Sequence, residues 1–306
     1  SSHESSLRTG RSYLKWAAGG GGEAEAADTP TAMSAAGQGG KAAIAAILDR
    51  PENCPTKIFA TPFLRVNFRA YLGEAGLATL GRLAEARYTT FASQMAAQGT
   101  TEANDVNDQF FSRQFSGDDR DSAAAYEWWP ELYRDSAEWR ALVEVLEEGA
   151  LDFAVKVASA RTGAGTVDRD SLREATYSVI WAAVYPEGAR GGGRHGAHAH
   201  QSSITSCVFY VVTGNSTAPI GFFDPRGAPV HKDYERHSTE FEWQPRAPFH
   251  QPLWLFPEPG DLVCFPSWLI HAVPRKLDAA TTRVAFPINL QVHKLLDSWH
   301  MTATAT

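Results

Sequence analysis

The chain lacks any apolar run of the roughly 18–20 residues that a bilayer-spanning helix needs, so no transmembrane segment is expected. Cysteine is scarce: Cys54, Cys207 and Cys264 are the three in 306 residues, odd in number and far apart. They form no disulfide framework, which points to a reducing, intracellular compartment. Cys207 and Cys264 lie in apolar runs and read as small core residues. An excess of positive charge is also missing. The 28 Lys and Arg against 35 Asp and Glu leave a net charge of -7, which argues against a nucleic-acid binder and its basic stripe. Gly191-Gly192-Gly193 is followed by no Lys-Ser/Thr, so it is no phosphate loop. No Gly-x-Ser-x-Gly elbow and no internal repeat is present.

What is there divides into four parts. Residues 1–45 are an Ala/Gly/Ser-rich, low-complexity tail with too little apolar surface to offset its ordering entropy. It reads first as a solvated tail of an intracellular, cytoplasmic protein; Arg8, Arg11 and Lys15 among serines also suit the flank of an organelle-targeting segment, with plastid as the alternative location. A remnant of expression and a segment held by an assembly partner are the other readings. Residues 46–175 form a strand plus helical support region. Lys57 to Phe68 reads as a strand pair or an irregular strand, with Pro62 confining it to an edge or bulge. From Leu72 to about Gln98, Leu77, Leu80, Ala84, Tyr88 and Phe91 recur at helical spacing. Glu127 to Ala158 gives a second helical region, opened by Trp128, Trp129, Leu132 and Tyr133; its Glu144, Glu147, Glu148 and Asp152 read as a solvated face. Residues 100–125 are a loop candidate.

Residues 176–293 change to strands and turns: one strand over Ser178–Tyr185, a Gly-rich loop, then strands near 204–212, 220–223, 253–256, 261–265, 268–273 and 283–292. Residues 294–306 are a C-terminal tail. Short strands after helices make the fold class α+β, with a sandwich or jelly roll as the strand core.

The chemistry concentrates in histidine. His198 and His200, two apart, point to the same side if they lie on a strand. His271 arriving from a distant strand completes a three-point face, which suits a non-haem iron centre with open positions opposite. His195 lies in the Gly-rich loop and reads as solvent-exposed or substrate-side; His231, His237 and His250 read as loop residues, and His293 and His300 follow the last strand. Asp224 and Arg226 read as a local ion pair fixing a turn, and Trp254 and Trp268 as packing residues, Trp268 near enough to His271 to line a pocket.

Trp181-Ala182-Ala183-Val184-Tyr185-Pro186-Glu187-Gly188, His198-Ala199-His200, Ser206 to Val211, Phe222-Phe223-Asp224-Pro225-Arg226 and Pro259-Gly260-Asp261 through Phe265-Pro266-Ser267-Trp268-Leu269-Ile270-His271 follow one another in an order that resembles the 2-oxoglutarate and Fe(II)-dependent oxygenase family. That family lies within the double-stranded β-helix superfamily that includes prolyl hydroxylases. The resemblance implies a double-stranded β-helix (jelly-roll) core over 176–293 buttressed by N-terminal helices, Fe(II) as metal and 2-oxoglutarate as cosubstrate. It also implies hydroxylation of a small-molecule or protein substrate. His198 resembles the first histidine of the family's His-x-Asp pair, His271 the distal histidine, and Arg283 and Tyr210 the pair that holds the far carboxylate of 2-oxoglutarate. His200 departs from the superfamily pattern, standing where a carboxylate is usual; Asp224 is a less suitable donor. Ala183 and Ala285 depart too, where Asn and Ser are expected. Two other readings stay open: a weakly active or inactive barrel retained as a binding or scaffold subunit, and a cupin-like three-histidine dioxygenase without 2-oxoglutarate.

Overall fold

The structure, a computed structural model, describes residues 38–53, 56–58, 61–100, 134–162, 167–186, 194–200, 203–214, 219–227, 251–274 and 281–293, with 106, 110, 115 and 116. The tail as far as residue 37, with its targeting and partner-held readings, lies outside the described residues, as do Cys54, Trp128, Trp129, Leu132, Tyr133, the Gly191–Gly193 run, His231, His237, His250, His300 and the C-terminal tail.

Helix α1 (Gln38–Leu48) begins where the tail was expected to continue. Ile44 and Leu48, four apart, bury one face, and Lys156 Nζ donates to the Leu48 carbonyl at 2.9 Å, satisfying an end carbonyl. Strands β1 (Thr56–Ile58) and β2 (Thr61–Asn67) form the expected hairpin. Pro62 pairs only with Lys57 of the outer strand, and the ladder on the other side of β2 starts at Leu64, so the missing proline donor leaves that ladder intact. Helix α2 (Arg69–Ala97) is interrupted at Gly73 (φ 69, ψ 162) and buries Leu77, Leu80, Ala84 and Tyr88. After β3 (Phe115–Ser116) comes α3 (Ala137–Thr162), whose Trp139 N–H donates to Ser136 Oγ at 3.1 Å as an N-terminal cap. Asp168 caps α4 (Arg169–Glu174) in the same way through the Ser171 N–H.

The acidic face expected of α3 is not solvated. Glu148 and Asp152 are buried. Arg169 Nη2 lies 2.6 Å from Glu148, Arg173 Nη2 2.9 Å from Glu148, and Lys156 Nζ 3.0 Å from Asp152. Glu147 accepts from Ser178 Oγ. The cations that hold these carboxylates come mostly from α4, so they are invisible to the spacing within α3.

The strands that follow are β4 (Thr176–Ile180), β5 (Ala183–Tyr185), β6 (His195–His198), β7 (Ser203–Val212), β8 (Ile220–Phe222), β9 (Leu253–Leu255), β10 (Asp261–Pro266), β11 (His271–Val273) and β12 (Arg283–Val292). The single strand expected over 178–185 is two, β4 and β5, both paired to β12 in one continuous register, Ile288↔Ile180 and Ala285↔Ala183. The break falls opposite Pro287, which has no N–H to donate; its carbonyl still accepts from Trp181 N at 3.2 Å.

The large antiparallel sheet has the order β1-β2-β10-β7-β12-β4-β3 with β5 also on β12, and the small one β6-β11-β8-β9. Alternation along the strands makes two cores. Leu64, Val66, Cys207, Phe209, Val211, Leu262, Phe286 and Ile288 join the apolar faces of the helices, with Trp139 against Phe286 at 5.3 Å between centroids. Phe63, Tyr210, Val263, Phe265 and Ala285 from the large sheet meet Ile220, Phe222 and Leu269 in the second core. The fold is α+β with antiparallel sheets, and all described residues belong to the unit Ala35–Thr306. No helix among the described residues is long and apolar enough to cross a membrane.

The Pro259-Gly260-Asp261 segment ties this framework together. Gly260 has φ 92, and a Cβ there would meet the Arg69 backbone N at 2.7 Å, so only glycine fits. Its N–H donates to the Tyr210 carbonyl and its carbonyl accepts from Phe68 N, both at 2.8 Å. Buried Asp261 accepts from Arg65 Nε, Asn67 Nδ2 and the Glu258 N–H at 2.7–2.9 Å. Two tryptophans depart from expectation: Trp268 is 50% exposed and Trp254 43%, the latter lying over Gly221 where a Cβ would meet its ring at 2.6 Å. Cys207 and Cys264 correct the reading of unpaired core thiols. They are register partners on β7 and β10, with Cα atoms 4.0 Å apart, and form a disulfide. The ground for expecting a reducing compartment goes with them.

Candidate metal centre

Strands β6 and β11 pair antiparallel with His198 opposite His271, and β8 sets Phe222 on the other side of His271. The cross-strand pair brings the two imidazoles to 4.2 Å between centroids. His200 stands 4.9 Å from His198 and 5.1 Å from His271. One ligand atom from each of the three lies within 4.8 Å of the others. The expectation that His198 and His200 share a strand is not met: β6 ends at His198, and His200 lies beyond it, its N–H donating to the Ser267 carbonyl at 2.9 Å. His195 is not in a loop either. It lies on β6 opposite Val273, half-buried and stacked on His198 at 4.0 Å.

Two of the imidazoles have a defined tautomer. His198 Nδ1 is 2.7 Å from the Gly196 carbonyl and His271 Nδ1 is 3.0 Å from the Leu269 carbonyl. A carbonyl only accepts, so each Nδ1 carries the hydrogen and each Nε2 keeps its lone pair for a metal. Burial is the first cause that holds all four histidines below the ordinary value, well below it for His195, His200 and His271; repulsion from neighbouring imidazoles adds to it for those three. They are therefore neutral at pH 7, the form that ligates. In an unfolded chain the same groups titrate near 6.5. Below that pH the unfolded state takes up protons that the folded state refuses, so the stability they contribute is present above pH 6.5 and lost as pH falls towards the folded values. The urea midpoint of the metal-free protein is expected to be flat from pH 8.5 to 7 and to fall steadily below 6.5. A flat midpoint down to pH 5 would contradict this burial.

The same cavity contains Arg283, from β12, only 2% exposed. Its Cζ lies 5.4 Å from the ring centroids of both Tyr185 and Tyr210. Its Nε and Nη1 have no hydrogen-bond partner, nor has the buried Tyr210 hydroxyl. Burial pushes that hydroxyl up to about 12, against the opposing charge of Arg283, so it remains a donor. Unpaired buried donors around a cation mark a place built for an anion. No Asp or Glu is among the described residues that line the cavity. Asp224, the conceivable carboxylate donor, accepts instead from Arg226 Nε at 2.9 Å and the Arg226 N–H at 3.0 Å; this ion pair holds its carboxyl below the usual range.

Three neutral nitrogen donors and no carboxylate suit a borderline divalent metal such as Fe(II), whose charge would be left whole and would add to that of Arg283. A dianion balances both, so the donor set and the orphaned guanidinium fit a metal and a dicarboxylate together. His198, His200, His271, Arg283 and Tyr210 are all brought to this cavity, which Trp268 does not line. Sequence reasoning missed Tyr185 and the polar residues Ser206 and Asn289, whereas His195, read as solvent-exposed or substrate-side, stands in the wall. Period-two alternation on β12 was the available signal: Arg283, Ala285, Pro287 and Asn289 all face the cavity. Ala285 and Ala183, the two departures from the family pattern, are cross-strand partners in its wall.

Among solved structures, the chain is similar to the non-heme alpha-ketoglutarate-dependent carbocyclase SnoK from nogalamycin biosynthesis: 11% identity, 76% of this chain and 80% of that one, TM-score 0.40. It is similar also to a Pseudomonas putida prolyl-4-hydroxylase, at 12% identity over 78% and 98% of the two chains, with a TM-score of 0.34. For the Arabidopsis thaliana dioxygenase for auxin oxidation 1 in complex with 2-oxoglutarate, the values are 14%, 83%, 77% and 0.36. No curated protein matches the sequence. These distant likenesses add nothing to the geometry of the cavity, which rests on the chain's own residues. Residues 180–289, which carry all four clustered histidines, Tyr210 and Arg283, match the family described as "Putative 2OG-Fe(II) oxygenase", and the resemblance read from the His-x-His and Pro-Gly-Asp segments holds over that part of the chain.

Proposed function

We propose that this protein is an Fe(II)- and 2-oxoglutarate-dependent dioxygenase that hydroxylates a small-molecule or protein substrate. The observation that carries the reading is a buried arginine with two unpartnered nitrogens in the same cavity as three neutral histidines. Strands β4 to β12 of the two sheets are the walls of a double-stranded β-helix over 176–293, β1 to β3 extend the large sheet, and the helices of 46–175 support its outer face.

When bound, iron and 2-oxoglutarate supply, with dioxygen, the oxidising power that hydroxylates a C–H bond while the keto acid is decarboxylated to succinate. The chain's own residues do the rest. His198 and His271 offer Nε2, each fixed by its Nδ1 bond to a carbonyl, and His200 is the third ligand. Arg283 pairs with the far carboxylate of 2-oxoglutarate through its free nitrogens, and Tyr210 donates its hydroxyl to the same group. Tyr185 and Tyr210, facing the guanidinium, keep it in one orientation. Phe265, 4.7 Å from His271, and Phe222 seal the apolar side and exclude water.

Anaerobic titration with Fe(II), with and without 2-oxoglutarate, tests the reading. A visible metal-to-ligand charge-transfer band is expected only when both are present, and is expected to vanish in His271→Ala. Its absence in the wild-type protein at saturating iron and cosubstrate would sink the dioxygenase reading.

A further inference from the structure

His198 and His271 are held by the β6–β11 ladder and by their Nδ1 bonds, whereas His200 has neither support. What fixes its backbone is the 2.9 Å bond from its N–H to the Ser267 carbonyl. Ser267 is itself held by a buried polar chain. Its hydroxyl is 3.0 Å from Ser206 Oγ, and Ser206 Oγ donates to Asn289 Oδ1 at 2.7 Å. The single hydroxyl hydrogen of Ser206 is committed to Asn289, so Ser267 must be the donor to Ser206. Ser206, Ser267 and Asn289 are all buried. Ser206 and Asn289 are also direct register partners on β7 and β12. The relay therefore starts on the two central strands of the large sheet and ends on the loop between β10 and β11.

We propose that Ser267, Ser206 and Asn289 are positioning residues that hold His200 in the ligand set. The inference rests on the three-histidine reading of the metal centre and deepens it. A buried network of three hydroxyl and amide groups is a high-stakes element. Folding alone would be served as well by apolar residues of the same shape. Its outlet, a carbonyl that accepts from the one ligand outside a strand, gives it a use. Trp181, 5.9 Å from the His200 ring, limits the ring's swing from the other side.

The test uses Co(II) alone as probe, read by its visible d–d bands, with the urea midpoint followed in parallel. Wild type and His271→Ala establish the centre. Ser206→Ala is expected to weaken Co(II) about tenfold, the lower end for loss of an outer-shell partner, and to give a spectrum like that of His200→Ala. Ser206→Thr, which keeps the hydroxyl, is expected to restore both. In a His200→Ala background, Ser206→Ala is expected to cost nothing further, since the group it positions is already gone. Asn289→Ala is expected to repeat the pattern if Ser206→Ala folds poorly. An unchanged Co(II) affinity and spectrum in both variants overturns the relay, as does an equal tenfold loss with and without His200. Absence of any His271-dependent Co(II) spectrum in the wild type overturns the metal centre, and the relay with it, and is told apart from those results by that control.

Discussion

Replacing Arg283 by Met is expected to weaken 2-oxoglutarate binding by orders of magnitude and at the same time make the ligand-free protein more stable. The two effects share one cause. Arg283 is 2% exposed, and among the described residues no carboxylate lines the cavity it faces. Its Nε and Nη1 are unpaired. On the proposed reading the paired carboxylate arrives with the cosubstrate, and each hydrogen bond to a charged group then contributes about 1.5–3 kcal/mol. Losing two such bonds predicts a fall in affinity on the order of 10²–10⁴-fold. Without ligand the balance reverses. A desolvated charge lacking a counter-ion is destabilising, and replacement of buried charged groups by apolar residues of similar volume often stabilises by about 1–4 kcal/mol. The facing rings of Tyr185 and Tyr210 recover part of that penalty as cation–π attraction, on the order of 1–2 kcal/mol, so a gain near the lower end is expected. Isothermal titration of 2-oxoglutarate and urea unfolding of the metal-free protein read the two halves separately. Arg283→Lys keeps the charge but not the fork, and is expected to bind weakly without the gain in stability. Wild-type affinity in Arg283→Met would remove the guanidinium from the cosubstrate site. Lower stability in the same variant would mean that the charge is compensated in the free protein.

How much of this was legible in the sequence differs from residue to residue. The strand character of 204–212 and 283–292 was plain from β-branched and aromatic content, and the strands found there differ from those ranges by at most one residue. His198, His200 and His271 stood out by spacing and company, yet the spacing argument assumed one strand for the pair; β6 ends at His198 and a backbone bond to Ser267 does the rest. Tyr185 was invisible as a cavity residue because Ser178–Tyr185 is apolar on both faces. Only its pairing with β12, broken opposite Pro287, decides which side faces the cavity. Glu148 of α3 looked solvated because the arginines that hold it come from α4. Ser206 and Asn289, 83 residues apart, carry no joint signal until the β7–β12 register makes them neighbours. Local pattern is readable where one segment suffices; wherever two segments must meet, register decides.

The disulfide is the sharpest case of register deciding, and it carries the second large effect. Cys207 and Cys264 lie 57 residues apart and become directly opposed only because β7 and β10 pair as they do. Closing a loop of that length removes conformational freedom from the unfolded chain, worth about 4 kcal/mol in the chain-entropy account. The double variant Cys207→Ala, Cys264→Ala is therefore expected to lose about 4 kcal/mol in urea unfolding and roughly 10 °C in Tm. Both sulfurs are fully buried in the core between the large sheet and the helices. A reductant then reaches them only when the protein opens, so native protein is expected to resist dithiothreitol that reduces the bridge quickly in 6 M urea. The bridged strands also carry Ser206 and Tyr210 and lead through Ser267 to His271, so the loss is expected to loosen the cavity and weaken Co(II) as well as lower Tm. Alkylation of a Cys54→Ser variant without reductant decides the matter directly. No label in the denatured chain means that both sulfurs are bridged; two labels mean that β7 and β10 are joined by hydrogen bonds alone and that the stability loss will not appear.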